Sequence, residues 1–162
     1  MAKAREIPGL RADLPYAAAA AATIRVRTQE LFDHAEGVLD TSDIERVHDM
    51  RVATRRLRAA LEIYGPCFEP RLYKGVLSEV KALADALGAR RDPDVQLEGL
   101  EALAGTMGEA VKPGLEAFGA VLRGDQLAGN TTLAAALEHA GAHDLRGRLD
   151  ALADGAEDRM AA

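Results

Sequence analysis

Five arginines, Arg46, Arg51, Arg55, Arg56 and Arg58, fall in one short stretch that holds a single acid, Asp49. The stretch carries a charge of +4 in a chain whose net charge is −6, so these cations are concentrated rather than scattered. A guanidinium stays protonated at any ordinary pH and offers a planar fork of donors that fits two oxygens of a phosphate or carboxylate. His48 adds an imidazole donor to the row. Such a row suits successive anions on a polymer, provided the backbone holds it in line. The chemistry on offer is recognition rather than bond-making. Nucleophile–base pairs, a glycine-rich phosphate loop and metal-ligand clusters are absent at recognisable spacing, so neither an enzyme nor a metal site is expected.

The spacing predicts a helix that would align the row. Val47, Met50, Thr54, Leu57 and Leu61 recur at three- and four-residue intervals and share one stripe. His48, Arg51, Arg55 and Arg58 form the neighbouring stripe, with Arg56 on its flank. The cations then cover about 15 Å, at about 1.5 Å rise per residue. Upstream, Ser42 and Glu45 stand at capping-box spacing, and acids in the first turn suit the helix dipole. Downstream, Gly65-Pro66 ends the element.

The pattern Val47-His48-x-x-Arg51-Val52-x-x-Arg55-Arg56-x-Arg58-x-x-Leu61 resembles the signature of the CHAD family, the conserved histidine α-helical domain. Leu87-Gly88-x-x-Arg91-Asp92-x-Asp94-Val95 resembles the family's later turn, where an Arg-Asp pair opens another helix, and Lys81 matches a basic position between the two. The resemblance covers roughly residues 15 to 105. It implies a helical protein that binds inorganic polyphosphate through a basic surface made by His48, Arg51, Arg55, Arg56, Arg58, Lys81 and Arg91. Arg25, Arg27, Lys74 and Arg90 are further cations that could extend that surface. A full family domain has two related helical halves, and this chain carries one signature. His143-Asp144-Leu145-Arg146-Gly147-Arg148 lacks the Arg-Arg step and does not count as a second. The implied architecture is half of a two-bundle domain: either a two-fold homodimer restores the missing surface, or the chain is a reduced monomer with weaker binding.

Composition sets the frame. Nearly half of the 162 residues are apolar with alanine dominant, three Phe, three Tyr and no Trp, which favours close helix packing over sheets. The expected fold is all-α, an antiparallel bundle of about four long helices plus shorter C-terminal ones. Residues 1–14 read as a flexible leader and 15–162 as one domain. Helices are expected over 15–39, through the basic stretch, over 69–87 with a stop at Gly88, and from Asp92-Pro93 as N-cap and first turn. Lys112-Pro113-Gly114 reads as a break and residues 123–130 as a loop, with short helices over 115–122, 131–140 and 143–160. In this reading Asp92 and Asp94 start a helix, or one of them orients Arg51 or Arg55.

The single cysteine, Cys67, excludes an internal disulfide and fits a reducing compartment, and no stretch approaches the roughly 20 apolar residues of a membrane span. A cytoplasmic protein, free or associated with polyphosphate granules, and without a cofactor, is expected. Two rivals remain open. A row of arginines also meets DNA or RNA phosphates, although no base-reading Asn or Gln and no interleaved aromatic lies on the predicted face. Alternatively the arginines pair with acids of neighbouring helices and only hold the bundle together. His48 makes the polyphosphate reading pH-dependent, with tighter binding at pH 6 than at pH 8, because a polyanion favours the protonated ring.

Overall fold

The computed structural model describes residues 3–161, with side chains as far as residue 158. The alanine-rich sequence forms α1 (Tyr16–Asp33), α2 (Ile44–Tyr64), α3 (Pro70–Ala104), α4 (Lys112–Ala142) and α5 (Leu145–Ala161). Short 3-10 turns at Gly65–Cys67 and Glu109–Val111 precede α3 and α4, and no strand occurs among the described residues. The fold is an all-α bundle, as the composition predicts. Neighbours in sequence pack together, α1 on α2, α2 on α3 and α3 on α4, while α5 returns to α1.

The predicted stripes supply the core. Ile24, Leu31 and Val38 are buried against Val47, Met50, Leu57 and Leu61 of α2 and Val76, Val80, Leu83 and Leu87 of α3. Leu133 of α4 and Leu145, Leu149 and Leu152 of α5 close it. Thr54, in the same α2 stripe, is buried with its hydroxyl donated to the Met50 carbonyl at 2.8 Å. This core stops near Leu87 on α3 and begins near Leu133 on α4, so the end of α3 and the start of α4 project from it as a hairpin.

Several element boundaries differ from expectation. The first helix ends at Asp33 rather than residue 39, because Gly37 turns with φ +69° beneath the Arg46 side chain, whose Nη1 donates to the Glu36 carbonyl at 3.2 Å. The Ser42–Glu45 capping box does not form: Asp40 takes both the Ser42 N–H and its hydroxyl, and Asp43 stands at the N-cap without a side-chain bond. The final helix starts at Leu145, after Asp144 accepts the Gly147 N–H at 3.1 Å.

The largest difference is that α3 runs unbroken through Gly88 and Pro93, so Asp92 is no N-cap. Proline lacks the N–H that would reach the Ala89 carbonyl. Arg90 and Asp94 pair one turn apart, both fully buried, and staple the helix across that gap. From α4, Gln126 donates to Asp94 Oδ1 at 2.6 Å and Asn130 accepts from Arg90 Nε at 3.2 Å. Gly129, between them, lets the α4 backbone nest there, since a Cβ at that position would stand 2.7 Å from the Ala89 oxygen. The same packing carries α4 as one helix from Lys112 to Ala142, where the glycines predict breaks.

Gly88 meets nothing within 4 Å where a Cβ would point, and it sits inside a helix. Gly88→Ala should therefore stabilise the fold by about 0.5–1 kcal/mol through lost unfolded-state freedom. A thermal melt should rise by about 1–4 °C for a chain of this size, and an unchanged melt would show that α3 is not helical at that point.

A candidate polyanion-binding surface on α2

The stripe of α2 next to its core face carries His48, Arg51, Arg55 and Arg58 in line, and the same stripe continues to Glu62. Among the described residues, Arg51, Arg55 and His48 make no hydrogen bond or ion pair within the chain. Arg55 is exposed, and Arg51 and His48 are half-buried. Arg51 and Arg55 stand one turn apart, about 6 Å along the axis. Val52, Arg55, Arg56 and Ala59 line a shallow groove of about 260 Å³ along α2.

Arg58 is engaged differently. Its Nε lies 3.0 Å from Glu62 Oε1, and Lys81 Nζ of α3 approaches the same oxygen at 3.6 Å. Two cations from two helices thus share one carboxylate oxygen. Arg58, chiefly by its hydrogen bond, and then Lys81 hold the Glu62 carboxyl below the usual range. Lys74, seven residues before Lys81 on α3, is exposed and makes no ion pair among the described residues.

The other cations named from sequence lie elsewhere. Arg56 is half-buried towards α1, where its charge reaches Glu30. Burial acts to raise the Glu30 carboxyl, but the Arg5 N–H, Arg27 and Arg56 together outweigh it and hold that carboxyl low. Arg27 sits 2.6 Å from Glu30, and both side chains are largely buried. Arg25 clasps α5 through Asp154 and Glu157, each at 2.7 Å. Its hydrogen bond holds the Glu157 carboxyl low, while Glu157 and then Asp154 raise the Arg25 guanidinium. Arg91 is 12% exposed and lies 3.6 Å from Glu98. Arg90 is wholly inside, paired with Asp94, so that carboxylate orients Arg90 rather than Arg51 or Arg55. The structure therefore brings together His48, Arg51, Arg55, Arg58 and Lys81, and it does not bring Arg25, Arg27 or Arg90 to that strip.

Glu62 is the residue that sequence reasoning missed. Its signal was available, since a carboxylate four residues after Arg58 shares its helical face.

With that geometry in place, the class is a helical bundle bearing a basic helix strip, and the chain belongs to the CHAD domain family, whose model matches residues 22–162. The match runs well past residue 105, through the glycine-rich α4 and α5. No curated protein and no solved structure matches the chain. No helix among the described residues is long and apolar enough to cross a membrane.

Proposed function

We propose that the protein binds inorganic polyphosphate along the α2 strip, as a targeting, storage or sensing module rather than an enzyme. The observation that carries this reading is the pair Arg51 and Arg55, one turn apart and without an acidic partner among the described residues. The bundle itself uses Arg25, Arg27 and Arg90 in ion pairs. Two adjacent guanidiniums left out of such pairs, in a chain of net charge −6, are available to an external anion. His48 extends the row with a donor, and Arg58 and Lys81 widen it towards α3. Arg56 and Arg91 contribute field from the flanks. Membership of the CHAD family supports polyphosphate as the polymer.

Homodimerisation is part of the proposal, since it would set two such strips against each other, and the projecting hairpin exposes Val95, Phe118 and Val121 for such a contact. The proposed setting is the cytoplasm or a polyphosphate granule.

Titration with long-chain polyphosphate and with duplex DNA of matched charge, at physiological salt, tests the reading. Polyphosphate should bind more tightly, with affinity falling steeply as salt rises and rising from pH 8 to pH 6. Equal or tighter DNA binding would make the strip a nucleic-acid surface, and binding of neither would return the arginines to a structural role. A monomeric mass at micromolar concentration would remove the dimer.

A further inference from the structure

We infer that Glu62 is a built-in competing anion that makes the strip select long polyphosphate chains over short phosphates. The inference rests on the polyphosphate reading above. Glu62 Oε1 lies 3.0 Å from Arg58 Nε and 3.6 Å from Lys81 Nζ, bridging α2 and α3 where an oxygen of a bound phosphate would bridge the same two cations. The carboxylate is tethered one turn from Arg58, so its effective concentration at that end of the strip is high and constant. Orthophosphate or tripolyphosphate arriving there must displace it with few other contacts to gain.

A long chain meets a different situation. It lands first on Arg51 and Arg55, which have no carboxylate of their own. Once held there, its next phosphates are also tethered, and they compete with Glu62 on equal terms. Arg58, Lys81 and Glu62 are each about two-fifths exposed at the side chain, so the exchange needs only side-chain rotation. The strip thus has an open end, which captures, and a guarded end, which only a chain already captured can enter.

Glu62→Gln tests this, with Asp150→Asn as a control that makes the same change in net charge at an exposed position on α5, a helix that packs mainly on α1. Wild type, E62Q and D150N are titrated with tripolyphosphate and with long-chain polyphosphate. E62Q should bind tripolyphosphate about three- to tenfold more tightly than wild type, the range that one or two exposed ion pairs can supply. Its gain for the long chain should be smaller, and D150N should match wild type. Adding Arg58→Ala should abolish most of the E62Q gain. If wild type binds the long chain and E62Q gains no more than D150N, or gains equally for both ligands, the guarding role of Glu62 is overturned while the strip stands. If wild type binds neither ligand, the polyphosphate reading fails and this inference fails with it.

Discussion

Replacing Arg51 and Arg55 together by alanine should weaken long-chain polyphosphate binding about a hundredfold while leaving the melting temperature within a degree or two of wild type. A hydrogen bond to a charged group contributes about 1.5 kcal/mol at the lower end, which is about tenfold in affinity for each guanidinium. The folded state loses little, since neither side chain makes an internal hydrogen bond or ion pair among the described residues and both lie off the core stripe. Alanine also favours the helix at least as well as arginine does. The informative comparison is Arg25→Ala, which removes one positive charge but breaks the α1–α5 clasp. That variant should lose stability and keep nearly all of its affinity. Should the two variants bind alike, long-range charge rather than the strip would be drawing the polymer. The loss in the double variant should also shrink as salt rises, because the wild-type contacts release counterions that the variant does not.

The basic helix was legible because periodicity and charge agreed there. Val47, Met50, Thr54, Leu57 and Leu61 repeat at helical spacing, and all five are buried. Once that face is fixed, simple geometry puts His48, Arg51, Arg55 and Arg58 together on the next stripe. What the pattern could not give is the destination of each cation. Arg25 and Arg51 look alike in sequence, yet Arg25 meets Asp154 and Glu157 from the far end of the chain. Pairing across so many residues has no local signature.

The second half of the chain misled for a related reason. Gly88, Pro93, Gly114, Gly124 and Gly129 are breakers by propensity, and a reading weighted on propensity ends helices at them. Packing overrides this where two long helices lie side by side. Gly129 then serves as the point of close backbone approach to Ala89 and Arg90, not as a loop residue. Pro93 is tolerated because the buried ion pair spans it and α4 covers it. The apolar pattern there is also weak, since Val95, Leu103, Phe118 and Val121 remain exposed on the projecting hairpin.

Asp94→Ala should cost about 3–5 kcal/mol, a large share of the roughly 5–15 kcal/mol that holds a domain together, because it strands the Arg90 guanidinium inside the protein. Arg90 and Asp94 are both fully buried, and Asn130 Oδ1 at 3.2 Å would be the remaining acceptor on Arg90. The variant should melt about 6–20 °C below wild type. The pair itself contributes less than this figure suggests, since desolvating two charges offsets much of their attraction. Arg90→Met combined with Asp94→Leu should therefore recover most of the loss by filling the same space with apolar side chains. Hydrogen exchange separates two ways of failing. If opening is confined to the α3–α4 hairpin, protection should fall for residues beyond Arg90 on α3 and before Asn130 on α4, while α2 stays protected. The strip on α2 would then still bind polyphosphate at temperatures where the hairpin has opened. Loss of protection throughout α2 would mean that the staple across Pro93 supports the whole bundle. Every arginine variant would then have to be read at temperatures well below its melt.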